Sequence, residues 1–296
     1  MIHIGIVTDS TAYLTPDQRE RLPVEIVSLS VNFGDESFKE GEVYSNKEFY
    51  EKLRQASFLP TTSQPSVGDF LKVYEKLAGQ FKSIISIHIS GGISGTVQAA
   101  RAAAQMLPHL DITVVDSMAT AIGLYFIVEA AVQAARQGLA RDEVLRIVNH
   151  VMDQMTLLFF PDTLEYLRRG GRIGGAAALI GTVLQVKPVL YFNKQKNGII
   201  DVYEKVRTKE RAIKRLLGEL EKAYKVNPEL RAGIVHVGAP EEGKNLCNRV
   251  QSLYPGLPLE LCEVGPVIGA HVGPGTLGIC FYPLIPELQD LVSSKE

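Results

Sequence analysis

The chain has 296 residues, of which 46% are hydrophobic and 22% are charged, and its formal net charge is −2. These values are typical of a globular protein large enough for two domains. They do not support nucleic-acid binding, which usually requires a strongly basic surface. The three cysteines form no C-x-x-C pair, and we expect them to be reduced, as in a cytoplasmic protein.

We expect neither a secretory signal nor a membrane span. The chain opens with a strand-like run at Met1 that lacks the basic start of a signal peptide. The most apolar stretch, residues 118–135, is interrupted by Glu129 and Gln133, whereas a span needs about 20 apolar residues. The pattern favours a long, buried helix.

The first half of the chain alternates short β-branched runs with amphipathic segments. Predicted strands span residues 3–7, 24–31, 83–89 and 112–115, and predicted helices span residues 45–56, 67–77, 97–107, 120–137 and 142–155. A further helix is predicted to begin at Thr15. Capping residues mark three of the helix starts: Thr15 with Gln18, Ser45 with Glu48, and Ser66 with Asp69. Residues 32–40 are polar and are predicted to form turns. Strands separated by helices indicate a parallel sheet covered on both faces.

The regular alternation of strands and helices ends near Thr156. Predicted strands span residues 157–160, 188–192, 198–206, 232–236 and 259–264, with a last strand ending at Phe281, and predicted helices span residues 162–168, 174–186, 209–224 and 241–253. The hairpin and the helices together indicate a mixed α/β unit. We therefore predict two α/β domains, residues 1–155 and 156–296.

Polar side chains follow three of the predicted strands of the first half. They occur at residues 8–11, 90–96 and 116–117. Open α/β sheets bind ligands at the carboxyl ends of their strands, so we expect a site at this edge.

The glycine-rich segment 90–96 joins a strand to a helix. Amide groups at a helix N-terminus attract anions, and Ser94 adds a hydroxyl donor. The commoner alternative is that Ser94 only caps the helix. The segment matches neither G-x-S-x-G, nor the dinucleotide fingerprint, nor the P-loop, which favours holding a small anion over nucleophilic attack.

Two further segments have more than one interpretation. Prolines bracket the hydroxyl residues Thr61, Thr62 and Ser63, which suits a ligand clamp or a solvated loop equally well. The small residues of segment 174–186 suit tight helix packing or a bulky apolar ligand.

Of the histidines, His88 and His236 lie in strand-like runs and are predicted to be structural. His271 is surrounded by glycine and proline, which predicts irregular backbone, and in a cleft its N–H could hold a carboxylate. Arg172 follows a glycine pair and could be either a surface charge or an anion partner.

Several motifs occur in order over essentially the whole chain. They are V-T-D-S-T at residues 7–11, T-S-Q-P-S at 62–66, I-S-G-G-I-S-G-T at 89–96, L-E-Y-L-R-R-G-G-R-I at 164–173, and His271 before G-P-G at 273–275. Together, in this order, they resemble the DegV family. The chain departs from the family pattern only at Gly92-Ile93, where serine or glycine followed by leucine is common.

The resemblance implies a two-domain DegV-like α/β fold with a long-chain, palmitate-like fatty acid buried between the domains. Thr62 and Ser94 would hold the carboxylate, within loops that also contain Ser63, Gly95 and Thr96. His271 would support this network and Arg172 would lie close to it. The acyl tail would run under segment 174–186 and beside residues 157–160.

The resemblance also implies a function as a carrier without catalytic activity of its own, metal or further cofactor. Some members of the family are the acyl-binding subunit of a bacterial fatty acid kinase and present the acid to a separate ATP-binding subunit. Arg207 matches an arginine that contacts this subunit. Two alternatives are a lipid-sensing regulatory protein and an acyl hydrolase that uses Ser94 as nucleophile.

Overall fold

The strands form three sheets in the computed structural model, which describes residues 3–180 and 186–288. The strands are β1 (Ile4–Asp9), β2 (Val24–Val27), β3 (Ser30–Phe33), β4 (Glu36–Lys39), β5 (Thr61–Ser63), β6 (Ser83–His88), β7 (Asp111–Asp116), β8 (Thr156–Phe160), β9 (Lys187–Asn193), β10 (Ile199–Val206), β11 (Leu230–His236), β12 (Leu259–Glu263) and β13 (Leu277–Pro283). The α-helices are α1 (Pro16–Arg21), α2 (Asn46–Gln55), α3 (Val67–Ala78), α4 (Thr96–Met106), α5 (Ile122–Arg136), α6 (Arg141–Gln154), α7 (Glu165–Arg169), α8 (Lys209–Val226), α9 (Pro240–Leu253) and α10 (Pro266–Val272).

The first sheet is parallel and has the strand order β2-β1-β6-β7. Successive side chains of β6 point to opposite faces, so Ile84 packs with α3 and α4 while Ile85 faces the core that contains α5. Capping boxes start α1, α2 and α3, as the sequence predicts. The predicted parallel sheet is confirmed.

The second sheet is mixed and has the strand order β10-β9-β8-β13-β11-β12. Neighbouring strands of this sheet are antiparallel, except that β11 and β12 are parallel. Helices α8 and α9 pack on one face, and α5 and α6 pack on the other. The predicted fold class, a parallel N-terminal sheet followed by a mixed C-terminal sheet, is confirmed.

Helix α5 contacts strands of both sheets and is buried along nearly its whole length. One hydrophobic core therefore runs from Ile6 in the first sheet to Tyr282 in the second. The division into domains 1–155 and 156–296 stays a prediction.

None of the helices in the described ranges is long and apolar enough to cross a bilayer.

The predicted strand 24–31 is wrong, because it is two strands in different sheets. β2 joins the parallel sheet, whereas β3 starts a third, antiparallel sheet with the order β4-β3-β5. The predicted turn region 32–40 is therefore mostly a hairpin, which turns at Gly34 (φ 66°). The proline-bracketed hydroxyl residues form β5 in this same sheet.

In the second half, the predicted helix 174–186 is confirmed only in part, and the irregular backbone predicted at His271 is wrong. Within segment 174–186, Gly174–Leu179 is a 3₁₀ helix, and residues 181–185 lie outside the described residues. A Cβ at Gly174 would overlap the carbonyl oxygen of Ile200, so this glycine permits close packing on β10. His271 lies on α10 and not on irregular backbone, since Pro266 starts the helix and Gly273 (φ 80°) ends it.

Candidate functional site

A cavity of about 320 Å³ lies where β5, the loop after β6 and α10 meet the six-stranded sheet. Its wall is mainly aliphatic and aromatic. The polar residues of the wall are Thr62, Ser63, Gln64, Ser94, Thr120, Arg172, His271 and Thr276. Among the described residues, no Asp or Glu lines the cavity, and the positive charge on its wall comes from Arg172. The cavity therefore suits an apolar molecule with a small anionic group.

One hydrogen bond joins two sequence-predicted residues that lie 209 positions apart. Thr62 Oγ1 on β5 and His271 Nε2 on α10 are 2.7 Å from each other. Burial, assisted by the positive charge of Arg172, lowers the pKa of His271 to about 4, so the imidazole is neutral at pH 7.

The protonation of His271 follows from its surroundings. Its Nδ1 is buried and has no hydrogen-bond partner within residues 3–180 and 186–288. Because a buried N–H without an acceptor is costly, we assign the single ring proton to Nε2. His271 then donates to Thr62, and the Thr62 hydroxyl keeps its own proton for a ligand.

The Ser94 hydroxyl is held by its neighbour on the same loop. Ser94 Oγ lies 2.8 Å from Thr96 Oγ1 and accepts the Thr96 backbone N–H at 3.3 Å. The N-cap residue of α4 is Gly95, so Ser94 is not itself the N-cap, although its hydroxyl accepts the N–H of the first helical residue. Thr96 is buried and does not line the cavity, so it orients Ser94 from behind.

The strand-end carboxylates support this loop. Asp9 Oδ2 accepts the Ile89 backbone N–H at 2.8 Å, and Asp116 Oδ1 accepts that of Gly91 at 3.0 Å. Both strand-end aspartates therefore serve the backbone of the loop, and neither lines the cavity.

Close backbone approach explains the glycines of the loop. A Cβ at Gly92 would lie 2.5 Å from the carbonyl oxygen of Asn197, and one at Gly95 would overlap the Gln64 side chain. Ser90 Oγ also donates to the carbonyl oxygen of Gly198 at 2.8 Å. The loop is thus fixed against Gln64, directly after β5, and against the turn between β9 and β10.

Arg172 connects the loop to the segment after α7. Its Nε donates to the carbonyl oxygen of Ile93 at 3.1 Å, and its Nη1 donates to that of Gly170 at 2.7 Å. The guanidinium therefore stays on the cavity wall, near Ser94 and His271, where its positive charge favours an anion.

The structure brings most of the sequence-predicted site together. Thr62, Ser63, Ser94, Gly95, Arg172 and His271 all line the cavity. The sequence reasoning missed Gln64, which lies inside the T-S-Q-P-S motif, and Thr120 and Thr276, for which the sequence gives no local signal.

Arg207 lies elsewhere, on an exposed basic surface. Lys205, Arg207, Arg211 and Lys214 line one shallow cleft at the end of β10 and the start of α8, and all four are exposed.

A second cavity of about 330 Å³ adjoins the first. Leu157 and Phe192 line both cavities. The antiparallel register that pairs Leu158 with Tyr191 brings Leu157 opposite Phe192, so these two side chains separate the cavities. The acyl tail is expected beside residues 157–160 and under segment 174–186. Leu157 and Phe159 line the first cavity, in agreement with the first expectation, whereas none of residues 174–180 lines it.

Comparison with known proteins identifies the family. The model of a family described as "Uncharacterised protein, DegV family" matches residues 3–284. The chain belongs to the DegV family. A DegV domain-containing protein of Listeria innocua is 40% identical over 282 residues, covering 93% of this chain and 97% of the relative.

Solved DegV structures share the whole fold. A DegV family protein from Thermus thermophilus, described by its fatty acid binding, is 36% identical with a TM-score of 0.87 and covers 95% of this chain and 100% of its own. DegV from Bacillus subtilis, described as a fatty acid binding protein, is 34% identical with a TM-score of 0.89 and covers 96% of this chain and 100% of its own.

Proposed function

We propose that this chain binds a long-chain, palmitate-like fatty acid in the cavity of about 320 Å³. The carboxylate would accept hydrogen bonds from Thr62 and Ser94 at the polar end, beside Ser63, Gly95 and Arg172. The observation that carries the proposal is the apolar wall that ends at the Thr62–His271 pair, where none of the described lining residues is a carboxylate that would repel an acid. The fatty-acid-binding DegV structures with the same fold support it.

The energetics favour a long chain. Each buried methylene group contributes about 0.8 kcal/mol, so the tail provides most of the affinity while the hydroxyls select for the acid.

A role as a carrier for a separate ATP-dependent fatty acid kinase is the second part of the proposal. The carboxylate would remain at the polar end for phosphorylation to acyl phosphate in the cytoplasm. The family resemblance supports this role, together with the exposed basic surface around Arg207.

The hydrolase alternative has less support than the carrier. A nucleophilic serine needs a base within hydrogen-bond reach, and the side chain that contacts the Ser94 hydroxyl is Thr96, which is not a base. His271, the imidazole of the cavity wall, bonds to Thr62.

The test is to extract the purified protein with organic solvent and identify the released molecules by mass spectrometry. We expect a long-chain fatty acid near one equivalent per chain, and saturable rebinding of palmitate to delipidated protein. Absence of both an acyl chain and saturable binding would refute the proposal. Turnover of an activated acyl ester by the chain alone would favour the hydrolase instead.

A further inference from the structure

Helix α10 carries His271 in its last turn, and its first turn is held by side chains from distant parts of the chain. The Val267 N–H donates to Glu40 Oε1 at 2.7 Å, and the Ile268 N–H donates to Tyr13 Oη at 3.1 Å. The helix begins after Gly265, which has no side chain to cap it. Glu40 and Tyr13 therefore supply the acceptors that a capping residue would provide.

Glu40 is itself fixed in place. It is 8% exposed, and its Oε2 accepts the Ser10 hydroxyl at 2.6 Å. Ser10 Oγ accepts the Leu29 N–H at 3.1 Å, and the Glu40 N–H donates to the Leu29 carbonyl oxygen at 2.9 Å. A displacement of the carboxyl group would break several of these bonds together.

Close packing leaves α10 little freedom around this anchor. A Cβ at Gly265 would lie 2.9 Å from Glu40 Oε1, and one at Gly269 would overlap the Tyr50 hydroxyl. Tyr50 Oη in turn donates to the Val264 carbonyl oxygen at 2.6 Å. The seven-residue helix is about 10 Å long, so a shift of its first turn moves its last turn as well.

We propose that Glu40 is a positioning residue for the carboxylate-binding site, because it anchors the first turn of α10 and thereby sets where His271 meets Thr62. The proposal rests on the proposed function, since it concerns the affinity for the same fatty acid. Glu40 does not line the cavity, so we expect it to act on the site indirectly, through α10.

The side-chain chemistry defines a rescue variant. Burial, with the charge of Asp9 as a further cause, raises the pKa of Glu40 to about 7, although bonds from Ser10, Val267 and Tyr13 oppose the rise. Near neutral pH the carboxyl group is thus partly protonated, and glutamine resembles it closely. Glu40→Gln keeps an acceptor for the Val267 N–H, whereas Glu40→Ala removes it.

The experiment measures the binding of palmitate to delipidated protein at pH 7. We expect Glu40→Ala to weaken binding about tenfold and Glu40→Gln to stay within about twofold of the wild type. The matched control is Glu263→Ala, which removes an exposed carboxylate three residues before α10 and should have no effect. If Glu40→Ala does not fold, Glu40→Asp, which shortens the side chain, replaces it.

A double-variant cycle separates positioning from general destabilisation. In a His271→Ala background, Glu40→Ala should cause little further loss, and palmitate methyl ester should show a smaller effect than palmitate. Any one of three results would overturn the proposal. The first is a palmitate affinity of Glu40→Ala equal to that of the wild type. The second is a loss of affinity that simply adds to that of His271→Ala, and the third is an equal loss of affinity for the ester. Failure of the wild type to bind palmitate would instead refute the proposed function.

Discussion

Under the proposed function, the Thr62 hydroxyl would be the donor that His271 prepares for a carboxylate. Because Nε2 of the imidazole donates to Thr62 Oγ1, the threonine proton points to another acceptor. Thr62→Val keeps the shape and removes this donor, so the affinity for palmitate should fall by tenfold or more, from a loss of about 1.5–3 kcal/mol. Isothermal titration of delipidated protein measures it.

A neighbouring threonine provides the control for this variant. Thr61 is exposed and does not line the cavity, so Thr61→Val should leave the affinity unchanged. Equal affinities for wild type and Thr62→Val would place the carboxylate elsewhere in the cavity.

His271 should make the stability of the ligand-free protein depend on pH. Its pKa is lowered from 6.5 to about 4, by burial first and by Arg172 second. Between these values the unfolded chain binds a proton that the folded chain does not, so stability falls as the pH falls from 6.5 towards 4. Because of this group, the free energy of unfolding below pH 4 should be about 3 kcal/mol lower than above pH 6.5.

The measurement compares urea unfolding of delipidated wild type and His271→Gln at pH 7.5 and pH 5. Glu40 has a raised pKa and changes stability in the opposite direction, but both proteins retain it, so its effect cancels in the difference. We expect the stability advantage of the wild type over the variant to be smaller at pH 5. An advantage independent of pH would contradict the lowered pKa of His271.

At the scale of elements, the sequence was most informative where the signal is local. The capping boxes at Thr15, Ser45 and Ser66 predicted three helix starts, because each cap forms within four residues. The separation of β2 from β3 could not be predicted, since residues 24–31 keep the same β-branched character across the change of sheet. Besides the adjacent β4, β3 pairs with Thr61–Ser63, about 30 residues away.

The candidate site shows the same limit. Family motifs indicated Thr62, Ser94 and His271, and the structure brings all three to one cavity. No local pattern shows that Glu40 meets Val267, because that contact joins residues 227 positions apart. Such contacts depend on the packing of whole elements.

The pair Leu157 and Phe192 on β8 and β9 should set the length of the acyl chain. Leu157→Ala would open the first cavity into the second, giving a longer tail an apolar surface to contact. Each additional buried methylene is worth about 0.8 kcal/mol, or about fourfold in affinity. We expect the ratio of stearate to palmitate affinity to rise in this variant.

The control for Leu157→Ala is a buried leucine elsewhere in the molecule. Leu216→Ala on α8 removes the same atoms in the core on the far side of the sheet, so it should lower stability without changing the affinity ratio. The same ratio in wild type and Leu157→Ala would show that the tail does not reach this pair.

At the scale of the whole molecule, β10 joins the two regions that the proposed function requires. The turn before it contacts the Ser90 loop, and its last residue, Val206, precedes Arg207 on the basic surface. Eight residues of extended chain span about 26 Å, so a protein docked at Arg207 would lie outside the cavity. Binding of the fatty acid and binding of the kinase should therefore respond to different substitutions.

Arg207→Ala tests this separation. In a reconstituted mixture with a fatty acid kinase subunit and ATP, we expect acyl phosphate formation to fall severalfold at limiting carrier, because an exposed charge at an interface mainly controls association. Palmitate affinity should remain that of the wild type, since Arg207 does not line the cavity.

The matched control is Arg101→Ala, which removes an exposed arginine on α4 and should leave both measurements unchanged. Normal acyl phosphate formation by Arg207→Ala would remove Arg207 from the docking surface, and acyl phosphate made from ATP by this chain alone would overturn the carrier role.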